Sequence, residues 1–195
     1  MSSDQADIAA VLDFWFTTPA DPDWGTMRKA WWEKDAAFDQ ACRDVGMALH
    51  ARALRGELDV WKEEPLGALA FVVLCDQLPR NMFRGTPQMY GSDPLALAGA
   101  KLIDARGWRK GFTPVQRLFS HMPYEHAESV PEQEEHVAFV RDEYDGPEKD
   151  DCLQSAERHL EIVARFGRFP HRNDILGRET TTEEAAFLKE PNSSF

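Results

Sequence analysis

The chain has 195 residues, of which 43% are hydrophobic and 29% are charged. A chain of this length and composition can bury one good core, so we predict a single compact domain over residues 1–195. The formal charge of −12 excludes a protein that binds nucleic acid or an anionic membrane through a broad basic surface, because such surfaces need clustered positive charge.

The cysteines and the start of the chain predict a cytoplasmic location. Cys42, Cys75 and Cys152 are odd in number and far apart, which is typical of free thiols in a reducing compartment. The first residues, MSSDQAD, lack the basic and apolar regions of a secretory signal. No stretch approaches the ~20 apolar residues that a membrane-spanning helix needs, so we expect no contact with a membrane.

Apolar residues recur at helical spacing in the first part of the chain. The first predicted helix carries Ile8 to Phe16 on its apolar face, and a second apolar stripe runs from Trp31 to Gly56. Adjacent helical side chains point ~100° apart, so Trp31 and Trp32 cannot face the same way. We expect one to pack inside and the other to cover a neighbouring helix or to line a groove.

The longest apolar run predicts the central helix of the domain. Residues 66–75, LGALAFVVLC, are apolar nearly all round, which is the mark of a helix surrounded by others. Pro65 suits the first helical position. Because Pro79 disfavours helical geometry in the residue before it, this helix is predicted to end at or before Leu78.

Prolines, glycines and capping residues mark the remaining helices. Their predicted starts are Pro94, Pro114, Pro131, Glu148 and Thr181, and Pro123 is predicted to divide the segment after Thr113 into two short helical pieces. No segment alternates polar and apolar residues over the length of a strand. The fold class is therefore predicted as all-α, with about eight mostly antiparallel helices and frayed ends at residues 1–5 and 191–195.

Two stretches combine arginine, asparagine and histidine with residues that would hold them in place. They are residues 76–87, DQLPRNMFRGTP, and residues 166–178, FGRFPHRNDILGR, and we expect them to meet. Arginine binds carboxylate or phosphate groups through two parallel hydrogen bonds. The two stretches together therefore predict a pocket for a small anionic ligand. The predicted ligand-binding residues are Asp76, Arg80, Asn81, Arg84, Arg168, His171, Arg172 and Asn173.

The same arginines have a structural interpretation. Arginines near helix ends often bond exposed carbonyl groups or pair with carboxylates, here for example Asp13, Asp35 or Asp76, and so tie helices together without a ligand. Both stretches nevertheless lie at breaks between helices, where binding sites are usually built. The sequence leaves the two interpretations open.

Histidine and carboxylate residues near Pro123 predict acid–base chemistry. His126, Glu128 and His171 are the candidate catalytic residues, because imidazole and carboxylate groups transfer protons near neutral pH. The spacing of His121, Glu125 and His126 matches no zinc motif, so we predict neither a metal site nor a cofactor. His159 is interpreted as an anchor between helices.

Two classes of function follow from these patterns. In the first, the protein binds a small anionic molecule in a closed pocket, with or without acid–base chemistry on that molecule. In the second, it is a scaffold of helical hairpins whose groove holds a peptide or another protein without catalysis. A nucleotide-driven enzyme is disfavoured, since glycine-rich phosphate loops are absent from the sequence.

Five blocks of sequence carry a family resemblance over nearly the whole chain. They are VLDFWF (11–16), WWEKDAAFD (31–39), DQLPRNMFRGTP (76–87), the MP, EH and E of MPYEHAE (122–128), and RFGRFPHRNDILGR (165–178). Together they resemble the uncharacterised family catalogued as domain of unknown function 924. The resemblance implies an all-helical, tetratricopeptide-like fold and no established activity. His121 departs from it, because the family is expected to carry an aromatic residue, usually tyrosine, at that position.

Overall fold

The computed structural model describes residues 3–194, and these residues form α-helices joined by loops and short 3₁₀ turns. No β-strand occurs within this range, which confirms the all-α prediction. The predicted frayed ends fall partly outside the described residues. The helices are α1 (Ser3–Phe16), α2 (Ala36–Leu54), α3 (Pro65–Met82), α4 (Asp93–Ala105), α5 (Pro114–Glu125), α6 (Val130–Asp142), α7 (Lys149–Phe166) and α8 (Thr182–Phe187).

Helix α3 is the centre of the domain, and it packs against α1, α2, α4 and α5. Residues 68–75 are buried on every side of this helix, as its uniformly apolar sequence predicts. Helices α6 and α7 form a second layer, which reaches α3 through α5. None of the helices in the described part of the chain is long and apolar enough to cross a membrane.

Gly67 allows the start of α3 to lie against the 3₁₀ turn that precedes it. A Cβ atom at this position would overlap the backbone carbonyl of Trp61, which cannot move aside as a side chain could. We therefore expect Gly67→Ala to lower the free energy of unfolding by about 1–3 kcal/mol. Urea denaturation measures this loss, and Gly111→Ala, whose Cβ would meet nothing within 4 Å, is the control. Equal stability of the two variants would contradict the close packing described here.

The prediction that α3 ends before Pro79 is wrong, because the helix continues through this proline to Met82. Proline lacks the N–H group that would normally bond the carbonyl of Cys75. The hydroxyl of Ser92 donates to that carbonyl instead, at 2.6 Å, so no buried acceptor is left unpaired. As a consequence Arg80 lies on the same helical face as Asp76, one turn later.

Pro123 likewise lies inside a single helix, α5, and does not divide it into two pieces as predicted. It stands in the last turn, where a missing N–H group costs one hydrogen bond, and its buried ring contributes packing in return. Thr113 and Gln116 cap the start of the helix with two reciprocal hydrogen bonds. Because α5 continues past Pro123, Glu125 and His126 lie at its buried C-terminal end.

The segment around Trp31 is a short 3₁₀ turn, whereas the sequence pattern predicted the beginning of a long helix. Helix α2 begins later, at Ala36, because the Asp35 carboxylate caps it by accepting from the N–H groups of Ala37 and Phe38. Trp31 is 9% exposed and Trp32 is 56% exposed, so one side chain packs inside as expected. Both also line a cavity.

Candidate functional site

Helices α3, α5, α6 and α7, with the segments around Trp31 and residue 171, line a cavity of about 620 Å³ that is partly open to solvent, called here the α3–α7 cavity. Its wall combines arginine, histidine and carboxylate side chains with apolar ones. It is large enough for a small organic molecule, since pockets for such ligands typically measure ~300–1,000 Å³. Of the predicted site residues, those that line it are Arg80, Asn81, Arg84, His126, His171 and Arg172.

Two arginines from distant parts of the chain meet in the wall of the cavity and share one carboxylate. Arg80, near the end of α3, donates to both oxygens of Asp93, at 3.0 and 3.2 Å. Arg172 reaches the same carboxylate with Nη1 at 3.4 Å. Asp93 is the first residue of α4. From this position it links Arg80, in residues 76–87, to Arg172, in residues 166–178.

Arg172 is a buried cation whose charge is incompletely neutralised. Its side chain lies between the rings of Tyr90 and Phe169, with the guanidinium carbon 4.5 Å from each ring centroid. Nη2 donates to the carbonyl of His126 at 3.1 Å, whereas Nε has no hydrogen-bond partner among the described residues. Burial, together with repulsion from Arg80, lowers the pKa of Arg172 below its usual range.

Arg84 and Asn81 extend the polar wall towards the surface. Arg84 pairs with Asp39 through two hydrogen bonds of 2.9 and 2.8 Å, and it also donates to the Asn81 side chain at 2.8 Å. The Arg84 side chain has 33% of its surface exposed to solvent. This arginine is therefore paired, but it stays within reach of solvent at the edge of the cavity.

His126 and Asp76 form a hydrogen-bonded pair beside the arginines. His126 Nδ1 lies 2.7 Å from an oxygen of Asp76, whose carboxylate is fully buried beneath the cavity wall. Burial opposes ionisation of Asp76, but the charge of Arg80 and the contact with His126 outweigh it and lower its pKa to about 2. A carboxylate only accepts hydrogen bonds, so Nδ1 of His126 donates to Asp76, and the ring lines the cavity.

Glu125 organises a second polar cluster in the same wall. It is 5% exposed and accepts a hydrogen bond from Ser155 Oγ at 3.0 Å. His159 Nδ1 lies 3.2 Å from one of its oxygens and His136 Nε2 lies 3.5 Å from the other. Burial opposes ionisation of Glu125, but the neighbouring histidines lower its pKa, while burial lowers that of His136 to about 4. At neutral pH this cluster therefore carries the negative charge of Glu125.

The remaining predicted residues lie outside the cavity. Arg168 pairs with Glu184 at 2.7 Å, next to the start of α8. Glu128 accepts from Arg178 and from the backbone N–H of Phe169, so it holds the segment around residue 170 in place. Asn173 is fully buried. These side chains support the loop that presents His171 and Arg172 to the cavity.

Several residues of the wall were not among the predicted site residues. Tyr90 and Gln77 adjoin the arginines, while Glu125, His136 and His159 form the second cluster. The spacing of Ser155 and His159, four residues apart on one face of α7, was the available sequence signal for part of this cluster. Within residues 3–194, no group of three or more histidine, cysteine or acidic side chains is arranged to hold a metal ion.

Comparisons with known proteins identify relatives but assign no activity. A family model described as bacterial protein of unknown function (DUF924) matches residues 11–192. The solved structure of a protein of unknown function, ATU0120 from Agrobacterium tumefaciens, is 40% identical in sequence. It covers 95% of this chain and 98% of its own, with a TM-score of 0.82. No curated protein matches the sequence. The family resemblance seen in the sequence is confirmed.

Proposed function

We propose that this chain, which belongs to the DUF924 family of bacterial proteins of unknown function, binds a small anionic molecule in the α3–α7 cavity. The observation that carries the proposal is the sharing of Asp93 by Arg80 and Arg172. Arg80 also lies 3.3 Å from Asp76, whereas Asp93, at 3.4 Å, is the carboxylate that contacts Arg172. The buried Nε of Arg172 has no hydrogen-bond partner among the described residues, and an anion at the cavity wall would add an acceptor for this arginine. Carboxylate and phosphate groups fit best, because each can accept two hydrogen bonds from a guanidinium group.

The composition of the wall suggests an anion that also has an apolar part. Met27, Trp31, Leu118 and Met122 line the cavity together with the charged residues. Contact with these side chains would remove apolar surface of the ligand from water, at about 25 cal/mol per Å². Recognition would then combine an acid group held by arginine with a body held by apolar contacts.

His126 gives the proposed site a group that can exchange a proton with the ligand. Asp76 orients the ring and would stabilise the imidazolium formed when Nε2 accepts a proton, as carboxylate–histidine pairs do in general base catalysis. His171 also lines the cavity, but burial and the charge of Arg172 lower its pKa to about 4, so it is a weak base. Glu128 has no part in this proposal, since it pairs with Arg178 outside the cavity.

A peptide-binding scaffold without catalysis is the alternative function. A scaffold of this kind would need an open groove between helical hairpins, because a long peptide or a protein segment must extend out of the site at both ends. A cavity that contains histidines and buried carboxylates is the arrangement expected of a small-molecule site. The geometry therefore supports the first function better.

Arg172→Gln tests the proposal in a thermal-shift screen against carboxylates, phosphates, nucleotides and acidic peptides. A ligand at 100 times its Kd stabilises the wild-type protein by about 2.7 kcal/mol, which is measurable. We expect the variant to fold, because Asp93 keeps Arg80 as its partner. It should bind the ligand at least ~10-fold more weakly, since it has lost a charged donor.

Arg165→Gln is the matched control for this screen. It removes the same charge from a nearby position, where Arg165 pairs with Glu183 at 3.0 Å and is 42% exposed. It should bind like the wild type. An Arg172→Gln protein that keeps full affinity but melts much earlier than the wild type would instead support the structural interpretation of the arginines.

A further inference from the structure

One face of α7 forms a long wall of the cavity. Glu148, Asp151, Cys152, Ser155 and His159 all line it, at spacings of three or four residues that place them along one side of the helix. With a rise of ~1.5 Å per residue, the positions of Glu148 and His159 are separated by about 16 Å. The cavity therefore extends along about three turns of α7, and its opposite ends meet different parts of a ligand.

The two ends of this wall present different charged groups, with arginines near one end and two carboxylates of α7 at the other. His159 lies at the end where Glu125, His126 and the arginines gather, and Arg172 is near enough to contribute to the lowering of its pKa. Glu148 and Asp151 stand at the other end, and neither has an ion-pair partner in the described part of the chain. Burial and the charges of Glu125, Glu148 and Asp151 raise the pKa of the Cys152 thiol to about 12. The α7 N-terminal end of the cavity thus carries two carboxylates, and one lysine, Lys34, also lines the cavity.

The part of the cavity between these ends is weakly polar. Cys152 and Ser155 are the α7 side chains there, and Leu118 and Met27 pack in the same apolar cluster as Cys152. Trp32, which is 56% exposed, also lines the cavity. A cation near an aromatic ring and two carboxylates is stabilised both by the ring and by the charges.

We propose that the ligand is an extended zwitterion, whose carboxylate binds Arg80 and Arg172 and whose ammonium group lies against Glu148 and Asp151. This inference rests on the proposed function and names its substrate class. An extended peptide advances ~3.3–3.6 Å per residue, so three or four residues span about 10–14 Å, which fits a wall of this length. A short peptide with free ends, or a molecule with similarly separated charges, is the predicted ligand class.

Calorimetric titration with tetra-alanine and with N-acetyl-tetra-alanine tests this inference. Acetylation removes the ammonium charge and keeps the carboxylate. We expect the wild-type protein to bind the free peptide about 2- to 5-fold more tightly, in the range measured for exposed charge pairs. In the double variant Glu148→Gln, Asp151→Asn, the two peptides should bind equally.

Asp150→Asn is the matched control, because Asp150 belongs to the same first turn of α7 but does not line the cavity. It should keep the preference for the free peptide. Equal binding of the two peptides to the wild type would overturn the inference and leave the proposed function standing, provided that Arg172→Gln still weakens both. Absence of binding by either peptide would also overturn it, and the proposed function would then be judged by the other anions of the thermal-shift screen.

Discussion

Replacing Asp76 by alanine is expected to lower the free energy of unfolding by about 3 kcal/mol or more. The carboxylate is fully buried, lies 3.3 Å from Arg80 and 2.7 Å from His126, and accepts from the Gln77 amide at 2.6 Å. Its removal leaves these buried and partly buried polar groups with fewer hydrogen-bond partners. Urea denaturation at neutral pH measures the loss.

Asp142→Ala is the control for that measurement. Asp142 also pairs with an arginine, Arg141, but both side chains are more than half exposed, at 61% and 57%. Exposed ion pairs contribute little to stability, so the denaturation midpoint should not change. Equal losses in the two variants would mean that the buried network around Asp76 does not hold the site together.

The stabilisation by Asp76 should also depend on pH. Its pKa is about 2 in the folded protein and 3.8 in its ordinary state, so the unfolded chain takes up the proton first as the pH falls. Above about pH 4 the contribution of Asp76 to stability is fully present and amounts to about 2 kcal/mol. It is lost as the pH falls from about 4 to about 2. The difference in stability between wild type and Asp76→Ala should therefore narrow over this range.

Replacing Glu125 by alanine is expected to cost about 2–4 kcal/mol of unfolding free energy. The carboxylate is the common partner of Ser155, His159 and His136, which are buried or half-buried and come from two helices. Without it their polar atoms lose a partner and a cavity opens between α5 and α7. Chemical denaturation of the variant measures the loss.

Glu125→Gln separates the loss of hydrogen bonds from the loss of charge. The amide oxygen can still accept from Ser155 Oγ, and the amide nitrogen can donate to Nε2 of His136, which lies 3.5 Å from Glu125. This variant should therefore be clearly more stable than Glu125→Ala. If the two variants were equally destabilised, the charge of Glu125 and not its hydrogen bonds would hold the cluster.

Much of the fold could be predicted from sequence because the main signals are local. Uniform apolarity identified α3, and the pairs Thr113–Gln116 and Thr181–Glu184 form capping boxes in the structure. The errors occurred at Trp31, where a helix was predicted to begin before Ala36, and at Pro79 and Pro123, where local rules favour a helix end. Distant partners outweighed those rules, as the bond from Ser92 to the Cys75 carbonyl shows.

The candidate site could be predicted only in part. Arg80 and Arg172 stood out in the sequence because arginines cluster at the predicted helix breaks of an otherwise acidic chain. Both side chains line the cavity. Arg168 gave the same signal, yet its side chain pairs with Glu184. The contacts of Glu125 with His136 and His159 depend on how α5, α6 and α7 pack, and the sequence does not specify such distances.

A crystal structure of the protein with the anion that gives the largest thermal shift tests the central claim most directly. We predict that its acid group will lie within hydrogen-bonding distance of both Arg80 and Arg172, with its body along the apolar wall of the cavity. Binding at another surface, with Arg172 contacting only Asp93 and the His126 carbonyl as it does here, would contradict the claim.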